Sequence, residues 1–179
     1  SFTIIERAGL KIGVVGANTS ETIEQVFPGN LDYTDASGAK KTITIDPGVT
    51  GINQAIVDAK AAGADLVIAL VHQGWLENAD GGAKGVLNTM AAQIKGAAAI
   101  YGGHSHQSFA SVIPSSPRVA PVVIGQTRNS GVEYTRTQIC MKYGKVVGQS
   151  IEHVLKAASA TMTTGVVSTV TTQDVAAAA

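Results

Sequence analysis

The chain carries a single cysteine, Cys140, in 179 residues. One thiol forms no internal disulfide, and it excludes the zinc sites that two or more thiolates build. Within the alternating stretch Thr137-Gln-Ile-Cys-Met it reads as a small core residue, and it leaves the redox compartment open. A net excess of either charge is missing too, because 13 Lys and Arg balance 13 Asp and Glu. Binding to nucleic acid or to an anionic membrane surface wants a basic face, so neither partner is expected. The apolar runs fall short of the ~20 residues that span a bilayer. Nor does the chain open with a basic segment followed by an apolar one, since Ser1 leads straight into Phe-Thr-Ile-Ile. The expectation is a soluble chain, mature or shortened at its front, and long enough for one domain with its own core. Asn18-Thr-Ser20 is a formal glycosylation acceptor that matters only in a eukaryotic secretory setting.

What is present is a succession of strands and helices. Phe2 to Arg7 and Leu10 to Ala17 are β-like runs joined by Ala8-Gly9, which predicts a tight hairpin. The second run is nearly continuous in apolar and glycine residues, as suits a strand buried on both faces. Thr19 to Phe27 reads as a short helix, with Thr or Ser as cap and Glu21 and Glu24 favouring its positive end. Pro28-Gly-Asn30 stops it. Residues 31–42 form a polar excursion around Ser37-Gly38, and Thr42 to Ile45 returns as a short strand. Val49 to Ala62 places Ile52, Ile56 and Ala59 at spacings of three and four, an amphipathic helix closed by Gly63. Leu66 to Val71 is a buried strand, 73–84 a glycine-rich loop, Val86 to Ile94 a second helix, and Ala97 to Tyr101 another strand. That order implies parallel pairing through crossovers. Pro114, Pro117 and Pro121 break the next stretch, leaving Val122 to Ile124 as its strand. Val132 to Met141 and Val146 to Leu155 flank Tyr143-Gly144 as a β-hairpin. Residues 156–179 are rich in Ala and Thr and read as a linker or tail.

Three of the chain's four histidines follow two of these strands: His72 after Leu66 to Val71, and His104 and His106 in Gly102-Gly-His-Ser-His. Ligands of an α/β sheet gather outside the carboxyl ends of its strands, so the three histidines can share one edge. Imidazole is a common ligand of transition metals. A lone histidine after a strand is more often a surface or hydrogen-bonded residue, and the Gly-Gly-His-Ser-His loop is what raises the odds. In an extended loop His104 and His106 point to opposite sides and could each reach a different ion. In a curled loop both could reach one. His153, among Ile151, Glu152 and Val154, reads as structural.

Three segments resemble the metallophosphoesterase (calcineurin-like) domain of the 5′-nucleotidase family. They are Gly9-Leu-Lys-Ile-Gly-Val-Val-Gly with Thr19-Ser-Glu-Thr22, Asp65-Leu-Val-Ile-Ala-Leu-Val-His72-Gln-Gly, and Gly102-Gly-His-Ser-His106 with Ala120-Pro-Val-Val and Gly144-Lys-Val-Val147 downstream. The Gly-His-Ser-His loop is the specific element, and the likeness spans residues 1–155 as the later, C-terminal half of that domain. It implies an α/β fold, part of a β-sandwich flanked by helices in αββα layers. It further implies two divalent metal ions, zinc or manganese first among the candidates. His72 and His104 would serve the second ion and His106 the first. Asp65 and Asp80 are not carried over. The implied placement is periplasmic, secreted or at the cell surface. The family's upstream Asp-x-His motif, bridging aspartate and Asn-His pair do not occur in this chain. A catalytic residue is therefore not assigned, and the upstream half is expected as a missing segment or a second chain.

Three readings follow. The first is a two-metal phosphohydrolase of 5′-nucleotidase type, acting on nucleotides or related small phosphate esters and inactive as this chain alone. The second is a non-catalytic half-domain serving as a structural or assembly subunit, whose exposed sheet edge needs a partner or a cover. The third is a different enzyme in which His72, His104 and His106 hold one zinc with water in the fourth position.

Overall fold

Ala8 and Gly9 hold φ of 50° and 76°, the paired positive values that a two-residue hairpin turn requires. Strand β1 (Phe2–Arg7) therefore folds back antiparallel on β2 (Leu10–Ala17), with Arg7 opposite Leu10. The computed structural model of the chain describes residues 1–19, 21–45, 48–74, 76–77, 83–84, 86–113, 122–155 and 168–171. Asp80, the three prolines between 114 and 121, and all of the 156–179 stretch but 168–171 lie outside the described residues.

After β2, helix α1 is a single turn, Thr22–Gln25, shorter than the expected Thr19 to Phe27. Thr19 is not its cap. The Thr19 carbonyl instead accepts from the Thr22 N–H and hydroxyl. At the other end Phe27 precedes Pro28, whose ring drives that residue out of the helical region, here to φ −57°, ψ 127°. A 3-10 turn, Pro28–Leu31, then leads to a small hairpin of β3 (Asp32–Thr34) and β4 (Lys40–Thr42). The returning strand comes two residues earlier than the expected Thr42 to Ile45. One oxygen of Asp35 accepts from the Ser37 N–H, the Ser37 hydroxyl and the Ala39 N–H, which closes the turn early.

Helix α2 (Thr50–Ala61) buries Ile52, Ala55, Ile56 and Ala59, the stripe read from the 3.6-residue period. Gly63, at φ 94°, ends it. Next come β5 (Leu66–Val71), a two-residue pair of β6 (Leu76–Glu77) and β7 (Ala83–Lys84), helix α3 (Val86–Gln93) and β8 (Ala99–Tyr101). Strands β9 (Phe109–Ile113) and β10 (Val122–Gln126) precede a long hairpin of β11 (Glu133–Lys142) and β12 (Lys145–Leu155). Within the Ala/Thr-rich stretch, β13 (Ser168–Thr171) pairs antiparallel with β12. Strand β9 was not expected. It lies just ahead of the prolines and pairs antiparallel with β10.

The main sheet has six strands in the order β1-β2-β5-β8-β10-β9. Strands β2, β5, β8 and β10 run parallel, as the strand–helix–strand order implied, and β1 and β9 are antiparallel edges. Alternate residues of the central strands serve different layers. Val67, Ala69, Val71, Ile100, Val122 and Ile124 pack with both helices in the larger core. Ala99 and Val123 face the other way, with Ile68 and Tyr101, onto Ile151 and Ile139 of the second sheet, β11-β12-β13. Burying one such aliphatic side chain contributes about 1.5–3 kcal/mol. The architecture is mixed α/β, with helices on one face of the main sheet and a second sheet on the other. Gly13 permits the close seating of α2, since a Cβ there would lie 3.1 Å from both Ala59 Cβ and Val67 Cγ2.

The second sheet does not cover the whole face. On the β1–β2–β5 side Ile5 is 47% exposed and Leu70 45%. In β11 the odd-numbered positions from 133 to 141 are the more buried ones, so Cys140 is exposed on the outer face and is not a core residue. His153 is buried, as expected of a structural residue, with its Nδ1 3.8 Å from Glu133 Oε1.

Candidate metal centre

Three neighbouring parallel strands, β2, β5 and β8, end at the same edge of the sheet. The chain leaves each by a different device. After β2, the Asn18 side-chain oxygen accepts from the Thr19 N–H, and Thr19 Oγ1 accepts from the Glu21 N–H at 3.3 Å. After β5, the His72 N–H donates to the Ala17 carbonyl at 2.9 Å. The Gln73 N–H also returns to the Val71 carbonyl at 2.8 Å, centring a tight three-residue turn on His72. After β8, the Gly103 N–H donates to the Gln73 carbonyl at 3.0 Å, so the two histidine-bearing loops are bonded backbone to backbone.

These anchors bring the rings of His72 and His104 together. Their centroids are 5.2 Å apart and the planes meet at 70°, edge to face. His104 Nε2 lies 3.0 Å from Glu21 Oε2. The sequence placed Glu21 only as an acidic residue at a helix start. Its nearness to His104 follows from β2, β5 and β8 lying side by side, which the parallel order of strands could have indicated.

The loop is curled. His104 has φ 75° and His106 φ 58°, and the Ser105 N–H donates to the Gly103 carbonyl at 2.9 Å across His104. A positive-φ turn of this kind is rare and costs about 1–3 kcal/mol for a residue with a Cβ. The extended geometry, with His104 and His106 on opposite sides, is therefore not adopted. His106 is exposed in the same loop. Close packing explains the glycines around it. A Cβ on Gly74 would lie 2.7 Å from Ser105 Cβ, and one on Gly102 would lie 2.8 Å from the Gln73 carbonyl.

Gln126 carries no signal in the sequence that marks it as part of this edge. It is the last residue of β10, whose parallel pairing with β8 sends its carboxyl end to the same edge. Buried at 1% exposure, its amide donates to Ser105 Oγ at 2.7 Å and to the Gln107 carbonyl at 2.9 Å. Asp65, not carried over as a ligand, lies away from the histidines. It sits before β5, at the opposite edge, where its Oδ2 accepts from the Lys11 N–H at 2.7 Å. A cavity of about 350 Å³ opens at that far edge, lined by Lys60, Asp65, Lys145 and Gln149, and it is separate from the histidines.

Adjacent imidazoles beside a carboxylate suit zinc, manganese, iron or cobalt, and a carboxylate on one ring nitrogen leaves the other free to ligate. To that extent His72, His104 and Glu21 fit a divalent ion. Among the described residues no three His, Cys, Asp or Glu side chains converge closely enough to enclose one.

No family model matches the chain. Over 114 residues it is 30% identical to the trifunctional nucleotide phosphoesterase protein YfkN of Bacillus subtilis (strain 168), covering 61% of this chain and 7% of that protein. In fold it is similar to a crystal structure described as a 5′-nucleotidase from Staphylococcus aureus, with a TM-score of 0.52 and 13% identity, covering 95% of this chain and 29% of that one. The chain thus spans a small part of either relative. The sequence match is thus to part of a nucleotide phosphoesterase protein, and the structural likeness, at 13% identity, shows a shared α/β fold.

Proposed function

We propose that the chain is part of a metal-dependent phosphohydrolase of 5′-nucleotidase type, acting on nucleotides or related phosphate esters. The observation that carries this reading is the ring contact of His72 with His104 at the shared carboxyl edge of β2, β5 and β8. The relatives named above are phosphoesterases, and the donor types at that edge suit the ions such chemistry uses. His72 and His104 would hold one divalent ion, zinc or manganese, and His106 a second. When bound, such ions supply charge that binds phosphate oxygens and activates water. The residues of this chain fix the two histidine loops to one another, and the exposure of His72 and His106 leaves the edge open to a phosphate ester.

Three histidines carry no negative charge to hold two cations close together. Further carboxylates would come from another segment or a second chain, without which this chain is inactive. The uncovered strip at Ile5 and Leu70 is a face on which such a segment can seat. The same reading carries a periplasmic, secreted or cell-surface placement.

A second reading, a non-catalytic assembly subunit, is favoured by the failure of three ligating side chains to converge among the described residues. Titration with Co²⁺, followed by visible absorption, separates the two. The metal reading expects a saturable spectrum that weakens in His72→Ala and His104→Ala. A chain that gives no such spectrum, or whose spectrum survives both substitutions, is the assembly subunit.

A further inference from the structure

Glu21 is the one acidic side chain bonded to a ring of the histidine pair among the described residues, and the reading above gives it no part. Its Oε2 lies 3.0 Å from His104 Nε2, with the His104 side chain 27% exposed and that of Glu21 52%. A carboxylate can only accept, so this contact places a hydrogen on Nε2. In the neutral form of the ring, the form that can ligate a metal, the lone pair is then at Nδ1. His104 also needs an external constraint. It stands at φ 75°, at the centre of a positive-φ turn closed by a single hydrogen bond from Ser105 to Gly103. The Glu21 backbone is itself tied down, through Thr19 Oγ1 and through the N–H groups of Glu24 and Gln25, which donate to its carbonyl.

We infer that Glu21 is a positioning residue for His104: it selects the Nε2–H form and ring orientation, leaving Nδ1 as the ligating atom. Histidine ligands are commonly oriented by a carboxylate on their second nitrogen, and removing that partner typically lowers metal affinity 10–100-fold. Glu21 acts through His104 and is not itself a ligand. The inference rests on the metal reading, because a surface ion pair of this exposure would contribute little to stability.

The test uses the whole chain and the variants Glu21→Ala, Glu21→Gln and His104→Ala, each read two ways. Long-range ¹H–¹⁵N correlation of the ion-free chain reports which nitrogen of His104 is protonated and whether its Nε2–H is protected from exchange. Titration with Co²⁺ alone reports affinity. The expected result is a protected Nε2–H in the unsubstituted chain, lost in Glu21→Ala and kept in Glu21→Gln, whose carboxamide oxygen still accepts. Affinity should fall roughly 10–100-fold in Glu21→Ala and recover at least partly in Glu21→Gln. An affinity in Glu21→Ala within twofold of the unsubstituted chain, or an Nε2–H signal indifferent to Glu21, would overturn the inference. If that happens while His104→Ala still weakens binding, the metal reading stands without Glu21. A chain whose Co²⁺ binding ignores His104→Ala loses both.

Discussion

Gln126 donates to Ser105 Oγ at 2.7 Å and to the Gln107 carbonyl at 2.9 Å, so one buried amide grips the residues on both sides of His106. The curled Gly-His-Ser-His loop is held by a strand that lies beyond it in sequence and beside it in the sheet. Replacing this side chain by a leucine of similar length keeps the volume and removes both donors. Gln126→Leu is expected to destabilise the fold by about 1–3 kcal/mol, because buried acceptors lose their partners. Denaturant unfolding gives that figure. An unchanged midpoint would show that the loop is held by something else.

Gly102 and Gly16 predict an asymmetry. At Gly102 an added Cβ meets Leu87 and, at 2.8 Å, the Gln73 carbonyl. Backbone cannot yield as a side chain can, so Gly102→Ala should cost about 1–3 kcal/mol and part the two histidine loops. Gly16→Ala serves as control, since a Cβ there meets nothing within 4 Å. Thermal unfolding of the pair decides whether the close approach, rather than loss of glycine as such, is responsible.

Tyr101 predicts an alkaline limit. Burial pushes its phenol above the usual value of 10.0, while its hydrogen bond to Thr137 Oγ1, at 2.6 Å, pulls the other way. A group whose pKa is raised by folding contributes stability that is intact below the unfolded value. That stability is lost as pH rises from about 10 through the folded value. Tyr101→Phe should unfold at the same point at pH 9 and 11 as far as this group is concerned, whereas the unsubstituted chain should weaken between them. Equal slopes in the two proteins would exclude Tyr101 as the cause.

Asp35 predicts the opposite limit. Its hydrogen bond from the Ser37 hydroxyl, followed by those from the backbone N–H groups of Ala39 and Ser37, holds its carboxyl below the usual 3.8. Stability from a depressed acid is present above the unfolded value and is lost as pH falls through the folded one. Amide protection in β3 and β4 should therefore hold at pH 5 and fade below 3.8, and in Asp35→Ala it should be low at both. Persistence of protection in that variant would place the turn's stability elsewhere.

Chelation offers a check on the metal reading that does not depend on turnover. An ion bound only to the folded chain stabilises it by about 2.7 kcal/mol when present at 100 times its dissociation constant. Zn²⁺ or Mn²⁺ should raise the melting temperature of the chain, and EDTA should reverse the rise. His104→Ala should show neither effect. A melting temperature unmoved by either ion counts against metal binding at this edge.

The sequence by itself determined the elements whose signals are local. The period of Ile52, Ile56 and Ala59 located α2, and paired positive-φ turns at Ala8-Gly9 and Tyr143-Gly144 located two hairpins. Strand–helix alternation gave the parallel sheet, and with it the expectation that His72 and His104 share an edge. Each of these depends on residues close along the chain, whose preferences show in one segment read alone. Tertiary structure decided what depends on which strands become neighbours. Glu21 reaches His104 across 83 residues because β2, β5 and β8 lie side by side. Gln126 reaches back to Ser105 because β10 adds to β8. The curl at His104 is a strained backbone that no local preference selects, and these long-range bonds hold it.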